Sequence, residues 1–164
     1  MIIDRSFRIE NQLGQGGMGT VHQATELASG RPVALKLVSQ GEHPRGQRSV
    51  SHDLSYRLAL AREFQTLASL HHPNIIRVLN YGFDEVMGSY YTMELLEQPL
   101  TILEAGQGKS EAQKAELLAQ LLRALVYVHQ RKLLHRDIKP SNITSIEKSP
   151  PIVRNRSEKL RTTV

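Results

Sequence analysis

Cysteine is absent from the 164 residues, which excludes disulfide frameworks and thiolate metal sites and is compatible with a reducing, cytoplasmic setting. Long hydrophobic runs are missing as well. The most apolar stretch, Leu117–Val128, carries Gln120 and Arg123 and is too short to cross a bilayer. Met-Ile-Ile-Asp-Arg-Ser at the N-terminus breaks its apolar start with charges, unlike a signal peptide. No membrane segment is therefore expected. Charge of one sign is also scarce over most of the chain. Lys148, Arg154, Arg156, Lys159 and Arg161 against Glu158 put +4 of the net +5 in the last seventeen residues, leaving +1 for the first 147. A nucleic-acid surface needs basic residues gathered on the folded body, so no nucleic-acid partner is expected. With 40% hydrophobic and 23% charged residues the composition is that of a globular chain of single-domain size.

What is present begins with strands. Phe7 and Ile9 alternate with Arg8 and Glu10 across Ser6–Leu13, the period of a half-buried strand. The cluster Gly14-Gln-Gly16-Gly17-Met-Gly19 follows, then strand-like Thr20–Thr25, a Ser29-Gly30-Arg31-Pro32 turn, and a third strand at Val33–Val38. This order predicts an antiparallel meander. Ser39–Tyr56, polar and containing Pro44, reads as a loop. A helix with Leu60, Phe64, Leu67 and Leu70 on one stripe then runs to His72-Pro73-Asn74, where proline disfavours continuation. Strands are predicted over Ile75–Tyr81 and Tyr90–Leu95 with a turn at Asp84–Ser89, and Gln98-Pro99 marks a linker. Ser110 with Gln113 three residues on forms a capping box that opens a helix to about Arg131, with Leu117, Leu121, Leu125 and Val128 as its apolar stripe.

The densest chemistry lies in Leu133–Ile143, Leu-Leu-His-Arg-Asp-Ile-Lys-Pro-Ser-Asn-Ile. Such a loop can set Asp137 as a proton acceptor, Lys139 against a phosphate and Asn142 on a divalent metal; the plainer reading is a polar loop that satisfies backbone carbonyls. Spacing separates the two. His-Arg-Asp followed by Asn five residues after the Asp is the catalytic-loop signature of protein kinases. With Lys139 two after the Asp, the loop resembles that of a serine/threonine protein kinase.

Other parts agree with that resemblance. Gly14-x-Gly16-x-x-Gly19 alone fits a dinucleotide fold or a kinase, but the former needs a helix after the third glycine. Thr20–Thr25 is strand-like instead, and Val21 completes the kinase form Gly-x-Gly-x-x-Gly-x-Val. Val33-Ala-Leu-Lys36 is close to the third-strand signature Val-Ala-Ile-Lys. Glu63 on the following helix is the expected partner of the Lys36 ammonium. Tyr91-Thr-Met-Glu-Leu-Leu96 resembles the hinge between kinase lobes.

The resemblance implies an α+β kinase-like fold: an antiparallel small lobe with one helix over about 7–95, a hinge over about 94–99, and the opening of a large lobe over about 100–143. It implies ATP held by Leu13, Gly14, Gly16, Gly17, Gly19, Val21, Ala34, Lys36, Glu63, Met93, Glu94 and Leu96. Asp137 and Lys139 would be catalytic, with Asn142 on Mg²⁺ and a protein Ser or Thr as phosphoryl acceptor.

One family part is missing. An Asp-Phe-Gly motif should follow the catalytic loop and supply the chief metal ligand, yet no aspartate lies beyond Asp137. Thr144 stands where the family usually has an apolar residue. Residues 144–164 read as a divergent, disordered tail, so the expectation is a truncated and inactive kinase domain with an incomplete Mg²⁺ site. A pseudokinase-like module that binds nucleotide or a partner, and a non-functional gene remnant, are the alternatives. Absent large-lobe helices should also leave Leu117, Leu121 and Leu125 uncovered, inviting a partner.

Overall fold

A computed structural model describes residues 1–16, 19–38, 50–135, 137–146 and 149–153. The chain divides into two compact units, the first Met1–Ala68 with Val78–Leu95, the second Ser69–Arg77 with the residues from Leu96 onward.

The first unit is built on an antiparallel six-stranded sheet of order β1-β2-β3-β4-β6-β5. Its strands are β1 (Ile2–Ile3), β2 (Phe7–Gly16), β3 (Gly19–Glu26), β4 (Pro32–Val38), β5 (Val78–Asp84) and β6 (Gly88–Glu94). Alternation along β4 decides what each face holds. Val33, Leu35 and Leu37 join Ile3, Phe7, Ala24 and Tyr90 in one core cluster, which leaves Ala34 and Lys36 to the opposite face. The predicted meander is present. β5 begins three residues later than the expected Ile75, because Ile75 and Ile76 are buried as part of the second unit.

β1 had no signal in the alternation pattern. It pairs with β2 through Ile2↔Arg8 and Ile3↔Phe7, and the intervening turn holds Asp4 and Arg5 at φ 47° and 52°. That left-handed backbone is uncommon outside glycine and asparagine, so it needs support. Ile3 is fully buried. The Tyr90 hydroxyl donates to Asp4 Oδ2 at 2.8 Å, and the Asp4 amide donates to Asp84 Oδ2 at 2.8 Å. Asp84 Oδ1 accepts from the Val86 and Met87 amides, closing the β5–β6 turn. The Asp4 and Met87 amides hold the Asp84 carboxyl below its ordinary range. Burial, then the Asp4 hydrogen bond, pushes the Tyr90 phenol up, so it remains a donor.

Helix α1 spans Val50–Ala68 and so starts within the segment expected to be loop. Gly41, Pro44 and Gly46, the strongest breakers of that segment, all precede Val50 in the sequence. The helix docks on β5 through rings: Phe64 stacks on Tyr81 at 5.4 Å and 29°, and the Arg57 guanidinium lies 3.4 Å from the centroid of Phe83.

In the second unit, α3 (Glu111–Gln130) has the predicted capping box, with Ser110 and Gln113 each accepting from the other's backbone. A short α2 (Ile102–Ala105) is capped in the same way by Thr101 and Glu104. Segment Ser69–Arg77 lies on α3, where the His71 amide donates to Tyr127 Oη at 2.9 Å and Asn74 meets Gln120 at 3.5 Å. Leu121, Ala124 and Val128 are buried and Leu117 and Leu125 half-buried. The stripe expected to be uncovered is thus at least half-buried along its length. The exposed apolar side chains are instead Leu118, Leu122 and Val126, at 54%, 59% and 53%.

A second correction concerns the segment after Ile143. β7 (Leu100–Thr101), β8 (Ile143–Ile146) and β9 (Ser149–Val153) form a three-stranded antiparallel sheet with β8 central. The expected disorder does not hold for residues 144–146 and Ser149–Val153; residues 147–148 and 154–164 lie outside the described residues. Pro150 and Pro151 suggested irregular chain, but an edge strand such as β9 accommodates prolines, which have no N–H to give.

Two expectations follow. Gly82 faces Tyr90 across β5–β6, and a Cβ there would overlap the Tyr90 ring and hydroxyl. Gly82→Ala should destabilise by about 1–3 kcal/mol, as overpacked sites do, and lower the thermal midpoint. His72 stacks near Tyr127 and its Nδ1 accepts from the Asn74 amide at 3.1 Å. Burial first, then the charge of Arg131, lowers its pKa from the usual 6.5. The unfolded chain therefore takes up this proton first. Stability contributed by neutral His72 is present above pH 6.5 and lost as pH falls from there through the lowered folded value. Urea titrations at pH 7.5 and 5.5 should show this loss, and His72→Asn should flatten it.

Candidate functional site

The first unit supplies one set of candidate residues. β2 and β3 pair up to Gly16↔Gly19, so the glycine cluster is a hairpin and not a strand-to-helix turn. Gly19 has φ 126°, a conformation that L side chains rarely adopt. Nothing lies within 4 Å of a Cβ built at Gly14 or Gly16, so a ligand can approach that backbone closely. Leu13 beside them is 51% exposed. Gly17 lies outside the described residues.

Register then assembles the face opposite the core. One cross-strand row runs Gly14↔Val21↔Lys36↔Tyr91, and the next runs Gln23↔Ala34↔Met93. Directly opposed residues share a face, so Val21, Ala34, Lys36 and Met93 stand together. Ala34 and Met93 are buried and Val21 half-buried. Small and flexible apolar side chains beside one ammonium suit a planar heterocycle bearing phosphates. Glu94 ends β6, and Leu96 opens the second unit's main segment.

Glu63 lies in α1, one residue before Phe64. No ion pair among the described residues joins Lys36 to Glu63. Lys36 Nζ lies 5.6 Å from the ring centroid of Tyr91, its cross-strand neighbour. Tyr91 was not singled out from the sequence. The usable signal was its place two residues before Met93, hence on the same strand face.

The second unit supplies the loop. Leu133, His135 and Ile143 are buried and anchor its two ends. A short 3₁₀ turn at Pro140–Asn142 brings Asn142 back toward Asp137, with the Asn142 amide donating to Lys139 O at 2.9 Å. Asn142 Nδ2 donates to both Asp137 O at 2.9 Å and Asp137 Oδ2 at 2.6 Å. Lys139 Nζ stands 3.4 Å from the same Oδ2. The loop thus gathers Asp137, Lys139 and Asn142 by itself. Arg136 lies outside the described residues.

Asn142 Oδ1 is one neutral oxygen, and no group of three or more His, Asp or Glu able to hold a metal occurs among the described residues. The first unit's face does suit a nucleotide, given the open glycine backbone and the apolar row beside Lys36. No helix among the described residues is long and apolar enough to cross a membrane.

Residues 7–150 match the family described as "Protein kinase domain". Serine/threonine-protein kinase PksC of Streptomyces coelicolor is 34% identical over 146 residues, 84% of this chain and 25% of that protein. Serine/threonine-protein kinase PknF of Mycobacterium tuberculosis is 35% identical over 142 residues, 84% of this chain and 28% of that protein. Aurora kinase B of Mus musculus is 33% identical over 140 residues, 84% of this chain and 38% of that protein. The chain thus spans less than half the length of these relatives. The match extends past Ile143 into β9, as the three-stranded sheet does.

Asn142→Ala removes the side-chain bonds to Asp137 O and Oδ2 and should loosen the loop, at a cost of about 1–3 kcal/mol for leaving their acceptors unsatisfied. Amide exchange at Asp137 and Asn142 should accelerate while exchange in β3 and β4 stays unchanged.

Proposed function

The chain belongs to the protein kinase domain family, and from that premise we propose that it carries the nucleotide-binding and base-supplying parts of a serine/threonine protein kinase. The observation that carries this reading is the shared row of Val21 and Lys36 beside Ala34 and Met93, next to the open backbone of Gly14 and Gly16.

In this reading Leu13, Val21, Ala34 and Met93 enclose the base, and the backbones of Glu94 and Leu96 hydrogen-bond its edge. The glycine hairpin covers the phosphates. ATP supplies the transferable γ-phosphoryl group when bound. Lys36 binds the phosphates as a point charge, and Glu63 on α1 completes that side. Asp137 accepts the proton of a Ser or Thr hydroxyl, held in place by Asn142 and faced by Lys139, which sits against the γ-phosphate. Asn142 contributes one oxygen toward Mg²⁺, and no step is assigned to the metal.

As a polypeptide of 164 residues the chain is proposed to bind nucleotide without turnover, and the donor set at the loop favours this. No aspartate follows Asp137, so the family's main anionic metal ligand has no counterpart in this sequence. Phosphoryl transfer rests on positioning and charge neutralisation, and loss of one key electrostatic group typically costs about 10²–10³ in rate.

Calorimetry with ATP should detect binding, and Lys36→Ala should weaken it about tenfold or more, the worth of a hydrogen bond to a charged group. Equal affinities would remove Lys36 from the site. Transfer from ATP to a generic Ser/Thr peptide should be at background for both the wild-type chain and Asp137→Asn. Robust transfer lost only in Asp137→Asn would overturn the absence of turnover while keeping the base.

A further inference from the structure

We propose that the exposed face of α3 pairs two copies of this chain, their helices lying antiparallel about a two-fold axis at the middle of the helix. The proposal concerns the second unit alone and does not rest on the nucleotide reading.

Helical periodicity defines the face. At about 100° per residue, Glu111, Ala115, Leu118, Leu122, Val126 and His129 fall on one stripe of α3. All six are exposed. Leu118, Leu122 and Val126 place three exposed aliphatic side chains on successive turns, whereas exposed apolar residues on monomers are usually scattered singly. The rest of the helix is engaged within its own unit. Leu121, Ala124 and Val128 are buried, and Tyr127 accepts from the His71 amide and carries the Arg131 guanidinium on its ring. The ion pair of Arg123 with Glu116 also lies off the stripe.

The two ends of the stripe name its occupant. The acidic residue of the first turn is Glu111 and the basic residue of the last turn is His129. Laid antiparallel on a second copy, the stripe sets Glu111 against the partner's His129 at both ends, where the imidazole donates an N–H to the carboxylate. The same rotation brings Leu118 against the partner's Leu122, and it opposes the two macrodipoles. A parallel pair would bring two Glu111 carboxylates together with the dipoles aligned. Glu111 can turn to a partner, because its bond to Lys114 leaves it 90% exposed and such surface pairs are weak. One self-complementary patch closes on itself, so association stops at two chains.

The test uses the whole 164-residue chain in sedimentation velocity across about 1–300 μM, the range of a small, transient interface. A monomer–dimer equilibrium is expected. A monomer throughout leaves the face to another partner and overturns the proposal, as does growth beyond the dimer. Leu122→Glu sets like charges in the seam and should weaken the dimer about 100-fold or more. Val86→Glu, at an exposed apolar side chain of the β5–β6 turn, should leave it unchanged. Association that survives Leu122→Glu, or is lost in Val86→Glu, overturns the proposal. Glu111→Lys and His129→Glu should each weaken the dimer about two- to tenfold, since the pair occurs twice, and the double variant should restore it. Failure to restore overturns the antiparallel pairing. The chain has no cysteine, so introduced thiols report orientation directly. On mild oxidation, Glu111→Cys chains mixed with His129→Cys chains should cross-link to each other. Cross-links within one variant, or none, overturn the proposal, and this readout leaves the apolar seam intact should Leu122→Glu fail to fold.

Discussion

A strand buried in a sheet presents alternate residues to opposite faces, and the first unit depends on β4 meeting this constraint without error. Val33, Leu35 and Leu37 go to the core with Phe7, Ala24 and Tyr90, so Ala34 and Lys36 must go to the other face. A slip of one residue in β4 would bury the Lys36 ammonium and expose three apolar side chains. Burying each of those side chains is worth about 1.5–3 kcal/mol, and an unpaired charge in the core costs more still. Core packing therefore enforces the register, and the register in turn places Val21 and Tyr91 on either side of Lys36.

The loop of the second unit is organised differently. Its geometry comes from bonds closed within a few residues: Asp137 to His135, Asn142 to Lys139, and the Asn142 amide to Asp137. Buried Leu133, His135 and Ile143 fix both ends. Two kinds of order thus coexist in this chain. One set of side chains is brought together by non-local strand pairing, the other by a short turn whose chemistry and geometry are encoded in the same eleven-residue stretch.

That difference explains how much was legible in the sequence. The Ser110 capping box is a local signal, and its hydrogen bonds are present as the spacing required. The meander was legible because alternation is local too. What failed was non-local. Nothing near Ile2–Ile3 announces that Asp84 and Tyr90, about eighty residues away, will hold the Asp4 turn. Pro150-Pro151 reads as disorder until a paired edge is available to hold it. Segment Ser69–Arg77, which bonds to Tyr127 and Gln120 of α3, is likewise far off in sequence.

The docking of α1 is aromatic. Phe64 on Tyr81 and Arg57 on Phe83 lie seven residues apart along the helix, so both contacts come from one stripe. Ring stacking is worth about 0.5–1.5 kcal/mol and a cation over a ring about 0.5–1 kcal/mol or more. A partly solvated Lys–Glu pair is typically worth about 0–1 kcal/mol. The two ring contacts together outweigh it, so the helix settles where Phe64 and Arg57 find their rings, and the Glu63 carboxylate goes where that docking carries it. Lys36 Nζ lies 5.6 Å from the centroid of the Tyr91 ring that strand pairing puts opposite it. Register thereby fixes the side of the sheet on which the ammonium stands.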